Sequence, residues 1–311
     1  MFRFSPIIGF GLSVVVGVPS AFAEQWLESG IQKNLDGDFN GAMLDFERHL
    51  NDFPNNARAY LGICNAKSFL GRHKDAIKDC TKAIELDPSA AAPFISRCDI
   101  RHKTGQLTMG MADCLKAIDL SPQEPLSYTN LCAIRMELGD LWGALSACTE
   151  AIEKTTTPNL LTALAYSNLC AIKNSLQDPE GARAACDQAH SLDPRNPFVY
   201  LNRCGTNLLS ERFDAALDDC SKAISMAPSN NAGLVNRCIA HYKLKNFEAA
   251  QMDCNAAIEL SPQSLNAGIA YRFLGIMHAT AHQFEATCAA LEQGARLGDQ
   301  SSQQIHQTYC L

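Results

Sequence analysis

No basic run or stripe occurs in the 311 residues, and the formal net charge is −7. That balance excludes the electrostatic footprint of a nucleic-acid partner. C-x-x-C is absent, so neither a thioredoxin-like redox motif nor a C-x-x-C-H haem attachment can be built. Also missing are G-x-S-x-G, a phosphate-cradling glycine loop and H-E-x-x-H, which leaves no catalytic constellation to name. The longest apolar stretch, IIGFGLSVVVGV at 7–18, has twelve residues. A membrane-spanning helix needs ~20, so no span is expected. Thirteen prolines and nineteen glycines are too dispersed for a low-complexity or disordered chain.

What is present begins at the N-terminus. Arg3, the apolar stretch 7–18 and the small-residue site Ala21-Phe22-Ala23 make a secretory signal over residues 1–23, cut between Ala23 and Glu24. An uncleaved membrane anchor is the alternative, but the stretch is short and its small-residue end suits cleavage. No cysteine marks a lipid-attachment site there. The chain is therefore expected to be exported, to a bacterial periplasm or the extracellular space. In such an oxidising compartment its fourteen cysteines, an even number, read as disulfides.

Twelve of those cysteines fall at 64/80, 98/114, 132/148, 170/186, 204/220 and 238/254. Each pair is sixteen apart, and successive pairs step by 34 except for one step of 38. Within each unit apolar residues recur at helical spacing, as in AIKDCTKAIELDP at 76–88, and a proline closes most units (Pro54, Pro88, Pro122, Pro194, Pro228, Pro262). Two short helices and a tight turn fill 34 residues.

In register, these units carry Trp26, Tyr60, Phe94, Tyr128, Tyr166, Tyr200 and Tyr271 at position 4. Position 20 is Ala42, Ala76, Ala144, Ala182, Ala216 and Ala250; position 27 is Ala83, Ala117, Ala151, Ala189, Ala223 and Ala257. Leu234 and Gly110 depart from the pattern. The chain resembles the tetratricopeptide repeat family over nearly its whole exported length. That resemblance implies an all-α, right-handed α-solenoid over 24–299. Its antiparallel hairpins are expected at about 23–56, 57–90, 91–124, 125–158, 163–196, 197–230, 231–264 and 268–299, with a polar capping helix at 300–311. Four extra residues near 155–162 and three near 264–268 interrupt the register.

In the family, position 8 is small because the hairpin's helices touch most closely there, and position 24 is a large aromatic. The first repeat keeps this with Gly30 and Phe46; the next six place cysteine at both positions. Helix axes ~8–10 Å apart leave roughly 4–5 Å between facing Cα atoms, which overlaps the ~4.4–6.8 Å of a disulfide. The expected bonds are Cys64–Cys80, Cys98–Cys114, Cys132–Cys148, Cys170–Cys186, Cys204–Cys220 and Cys238–Cys254, leaving Cys288 and Cys310 to tie the eighth repeat to the cap. The rival scheme, position 24 to the next position 8, would strand Cys64 and Cys254. A sixteen-residue pairing of charge accompanies the cysteines: Arg97, Arg203 and Arg237 answer Asp113, Asp219 and Asp253, with Ile63 and Asp79 the exception.

The resemblance also implies a concave groove lined by each first helix. Position 6 there reads Asn130, Asn168, Asn202 and Asn236 in four consecutive repeats, amid Leu126, Thr129, Leu164, Ser167, Phe198, Leu201, Val235 and Tyr242. A side-chain amide can both donate to and accept from a peptide unit, so the expected partner is a protein or extended peptide; the asparagines can equally be inherited pattern. The family's basic carboxylate clamp is absent, since position 5 is Leu61, Ile95, Thr129, Ser167, Leu201 and Val235. His278, His282 and Cys288 could approach a metal, but no carboxylate completes the set, so no cofactor is expected. Trp142 stands where the family is polar; local packing is its expected role, and a contact on the convex side is the alternative. The reading is a non-enzymatic, exported binding scaffold; a secreted redox-active or hydrolase-like protein framed by repeats is the alternative. N-terminal sequencing of the exported protein should start at Glu24; a mature chain that keeps residues 1–18 contradicts export.

Overall fold

The computed structural model describes residues 21–311; the signal expected at 1–23 lies outside the described residues except for the backbone of 21–23. Among the described residues there are seventeen α-helices and no strand. The chain falls into two compact units, one ending at Leu120 and one spanning Ser121–Leu311.

The first unit holds three hairpins: α1 (Ala21–Asp36) with α2 (Phe39–Asp52), α3 (Ala57–Phe69) with α4 (His73–Leu86), and α5 (Ala91–Lys103) with α6 (Leu107–Leu120). The second holds five. They are α7 (Pro125–Glu137) with α8 (Leu141–Glu153), α9 (Leu160–Ser175) with α10 (Pro179–Leu192), and α11 (Pro197–Leu209) with α12 (Phe213–Met226). Next come α13 (Asn231–Lys243) with α14 (Phe247–Leu260) and α15 (Leu265–Thr280) with α16 (Phe284–Arg296), before a last helix α17 (Gln300–Tyr309) that covers α16.

Each hairpin turns through one residue in the left-handed region, always at the same place in the repeat. It is Gly37, Gly71, Gly105 and Gly139, then Gln177, Glu211, Lys245 and His282, with φ between 55° and 83°. Glycine adopts that backbone without a Cβ penalty. In repeats one, four and five an aspartate then caps the second helix, Asp38, Asp140 and Asp178 each accepting from the N–H three residues on. The closing proline of one repeat meets the aromatic of the next: the hydroxyls of Tyr128 and Tyr200 donate to the carbonyls of Pro122 and Pro194 at 3.0 and 3.1 Å.

The second register break is absorbed as helix, and the first partly as helix and partly as a longer connection at 154–159. α9 and α15 have 16 residues where α7, α11 and α13 have 13. Asn159 starts α9 with a capping box closed by Thr162, so the added chain satisfies its own backbone donors.

The core is small-residue. Ala42, Ala76, Ala144, Ala182, Ala216 and Ala250 are fully buried, as are Ala83, Ala117, Ala189 and Ala257. Alanine adds little bulk between helices, so the hairpins close tightly. In the first repeat the Phe46 ring takes up the space instead. A Cβ on Gly30 would come within 2.7 Å of it, and one on Gly62 of the next repeat would also collide. The eighth repeat repeats the device with Gly275 and Leu291, where a Cβ would meet Leu291 Cγ at 3.0 Å. Removing the fully buried ring in Phe46→Ala should cost about 3–5 kcal/mol. Hydrogen exchange of α1 to α3 checks this: undiminished protection would show that the ring does not hold the first repeat.

Candidate functional site

The first helix of each middle hairpin presents a cysteine to the second. Cα separations are 5.3 Å for Cys64/Cys80, 5.5 Å for Cys98/Cys114 and 5.3 Å for Cys132/Cys148. They are 5.2 Å for Cys170/Cys186 and Cys204/Cys220, and 5.5 Å for Cys238/Cys254. Cys288 of α16 and Cys310 beyond α17 lie 5.7 Å apart. All seven pairs stand at disulfide distance. The first twelve cysteines are completely buried, whereas Cys288 and Cys310 are partly open to solvent.

A column of ion pairs runs beside the cysteines. Arg97 grips both oxygens of Asp113 at 2.9 and 2.7 Å, and Arg237 grips those of Asp253 at 2.8 and 2.7 Å. Arg203 reaches Asp219 only at 3.5 Å. The structure adds a member that the sixteen-residue spacing missed, four residues further along the first helix. Lys33 meets Asp45 at 2.5 Å, Lys67 meets Asp79 at 2.6 Å, Arg101 meets Asp113 at 2.6 Å and His241 approaches Asp253 at 3.9 Å. Asp79, the apparent exception, is thus paired from this second position. The repeat register already contained the signal, as Lys33, Lys67, Arg101, Arg135, Lys173, Asn207 and His241 align. Where the second helix offers alanine, Arg135 and Lys173 turn to Asp140 and Asp178 at the hairpin turn.

The carboxyls respond to their partners. Burial would push Asp45 up, but hydrogen bonds from Lys33 and Ser29 and the charges of Lys33 and Arg48 outweigh it and hold its pKa below the ordinary 3.8. Asp219 moves the other way: burial dominates Arg203, His190 and the Asn207 hydrogen bond, and its pKa rises. By linkage, Asp45 contributes stability above pH 3.8 that is lost as pH falls through its folded pKa. Asp219 costs stability once pH rises above 3.8 and through its raised value.

Within the second unit the first helices pack on one another, α7 on α9, α9 on α11, α11 on α13 and α13 on α15, while successive second helices do not. The stack therefore closes toward its first-helix side. Asn130, Asn168, Asn202 and Asn236 all lie on that side, partly exposed. Asn202 is already engaged: its amide donates to the Ser167 carbonyl at 3.0 Å and hydroxyl at 3.3 Å. Asn174 in turn donates to the Asn202 carbonyl at 3.0 Å. Asn168 and Asn236 make no side-chain hydrogen bond among the described residues, and Asn130 Nδ2 is buried without one.

Thr129, Ser167 and Val235, expected to line the groove, are buried instead, because their position faces the neighbouring first helix. Leu201 is half-buried, and Tyr242 packs edge-on against Phe273 at 5.4 Å and tilted against Phe247 at 6.0 Å. The open apolar surface comes from Leu126, Leu164 and Phe198, at 36%, 43% and 57% exposure. Trp142 is 71% exposed on α8, so local packing is not its role. His278 pairs with Gln283 at 2.6 Å, and no metal-binding cluster occurs among the described residues.

Residues 57–90, the α3–α4 hairpin with Cys64 and Cys80, match the family model described as tetratricopeptide repeat. The other hairpins repeat its geometry. The α3–α4 hairpin is a tetratricopeptide repeat, and the chain has the fold of a tetratricopeptide repeat solenoid. Its fold is similar to that in the crystal structure of the APC/C hetero-tetramer Cut9–Hcn1, with TM-score 0.68 and 14% identity over 87% of this chain and 52% of that one. The protein thus spans about half the length of that chain. A tetratricopeptide repeat protein from Parabacteroides merdae gives TM-score 0.59 and 13% identity over 92% and 100% of the two chains. Pseudomonas aeruginosa pilF gives 0.58 and 17% over 68% and 94%. No curated protein matches in sequence. Against the pattern of this repeat protein, the cysteines replace the small–aromatic pair that the first repeat retains.

Peptide mapping without reduction should return 64–80, 98–114, 132–148, 170–186, 204–220, 238–254 and 288–310; an 80–98 link would overturn the scheme. Under native conditions a thiol reductant should open 288–310 first, since the other six are buried. Each of those six closes a loop of about 15 residues, worth up to ~3 kcal/mol in the chain-entropy model, so full reduction should lower Tm in stages.

Proposed function

We propose that the protein is an exported, disulfide-stapled scaffold that binds an extended peptide or protein segment along the first-helix side of its second unit, without catalysis. The observation that carries this is the row of Asn168 and Asn236, with side-chain amides free of internal partners, beside the open Leu126, Leu164 and Phe198. Amides at repeat spacing suit backbone groups, and the apolar residues between them suit side chains. Asn202 offers only its oxygen, because its N–H donors are spent on Ser167. The fold itself supports an interaction role, as the Cut9–Hcn1 structure is a hetero-tetramer. Seven cysteine pairs at disulfide distance are consistent with an oxidising compartment, which supports export.

Few charges line this surface, so binding should depend weakly on salt. The test is a titration of a partner captured from the native compartment against wild type and the Asn168→Ala/Asn236→Ala double variant. A loss of about 1 kcal/mol per hydrogen bond, roughly fivefold each, is expected with an unchanged melting profile. Equal affinity, or binding mapped to Trp142, would remove the amide row from the site. Asn202→Ala is a poor probe, since it also breaks the α9–α11 contact.

A further inference from the structure

The sixth repeat breaks the rule of the ion-pair column. Three of the other four aspartates at this place on a second helix receive a charged side chain from four residues beyond the arginine position, Lys33, Lys67 or Arg101. The fourth, Asp253, is approached from there by His241 at 3.9 Å. Asp219 receives Asn207, whose amide donates one neutral hydrogen bond at 2.9 Å. Its arginine is withdrawn as well. Arg97 and Arg237 are braced by the hydroxyls of Thr81 and Ser221 on the preceding second helix. The matching residue for Arg203 is Asp187, to which it makes no bond, and Arg203 stands 3.5 Å from Asp219 rather than 2.7 Å.

A cavity of about 360 Å³ opens at that carboxylate, floored by Thr206, Asn207 and Asp219 and walled by α10 and α12. It opens between the second helices α10 and α12, and the hydroxyl of Thr206 in its floor donates to the Asn202 carbonyl at 2.9 Å. Its charge can be apportioned. Arg203 belongs to Asp219, and Arg183 is held by Glu180 at 2.5 Å. Three arginines and three aspartates line the cavity, and with Arg183 turned to Glu180 the mouth sets Arg212 against Asp187 and Asp218.

We propose that this cavity is a binding site for an alkylammonium group, which takes the place beside Asp219 that Lys33 and Lys67 fill beside their own aspartates. The chemistry is an ammonium on a flexible alkyl stem, as in a lysine side chain of a bound protein or in a free primary amine. Asp219 accepts the charge, the Asn207 carbonyl oxygen accepts a second hydrogen bond, and Asp187 and Asp218 favour entry. The site does not depend on the proposed peptide surface.

The experiment follows the Asn207 side-chain amide resonances of the isotope-labelled oxidised protein. The probes are Nα-acetyl-lysine methylamide, its norleucine analogue and n-butylamine. Saturable shifts with the lysine compound and none with norleucine are expected. Butylamine binding as tightly would assign a free amine as source, and weaker binding would assign a peptide lysine. The control is Asn207→Lys, which supplies from within the cation that the first and second repeats already carry. In it, shifts at neighbouring Thr206 and Asp219 should need at least tenfold more probe. No saturation in wild type, equal response to norleucine, or undiminished binding in Asn207→Lys would overturn the proposal.

Discussion

Everything in this fold depends on how closely the two helices of a hairpin approach at one crossing point. There the repeat allots a fixed volume, and three solutions fill it. In the first repeat a glycine faces a phenylalanine, in the eighth a glycine faces a leucine, and in the six between, two cysteines meet with Cα atoms 5.2–5.5 Å apart. The first two bury apolar volume. The third replaces a large ring by a pair of sulfurs that can bond, moving the source of cohesion from packing to covalent constraint. Such a hairpin can tolerate the alanine-rich core seen here, where few large side chains are fully buried.

The charged column follows from the same closeness. Residues one place before each cysteine sit beside one another across the hairpin, and the half-buried arginine–aspartate pairs form there with two-point geometry. A carboxylate that deep needs more than one partner, because burial costs it solvation. The third and seventh repeats add a second group from the next turn, Arg101 and His241, and in the first and second Lys33 and Lys67 reach the aspartate from there. The sixth does not, and its aspartate is the one whose pKa moves upward.

The two faces of the second unit are built from different material. First helices pack side by side and expose amides and apolar side chains; second helices stand apart and expose charge around a cavity.

Sequence alone determined the hairpin register, the helix count per repeat and the identity of facing positions, because a 34-residue period with aligned alanines, aromatics and cysteines admits one phase. The places of the cysteine pairs were legible for the same reason, including the odd pair at 288 and 310. Only the tertiary structure decided what the groove presents. Thr129, Ser167 and Val235 are covered by a neighbouring helix, and Asn202 spends its donors on Ser167, contacts between repeats that no spacing within a repeat encodes. It also decided that the extra residues at 264–268 lengthen α15, whereas those at 155–162 are shared between a longer connection, 154–159, and the first turn of α9. The cavity at Asp219 lay beyond reading for a physical reason. One asparagine in place of a basic residue is unremarkable in sequence, and it becomes a vacancy only where three helices leave a buried carboxylate short of charge.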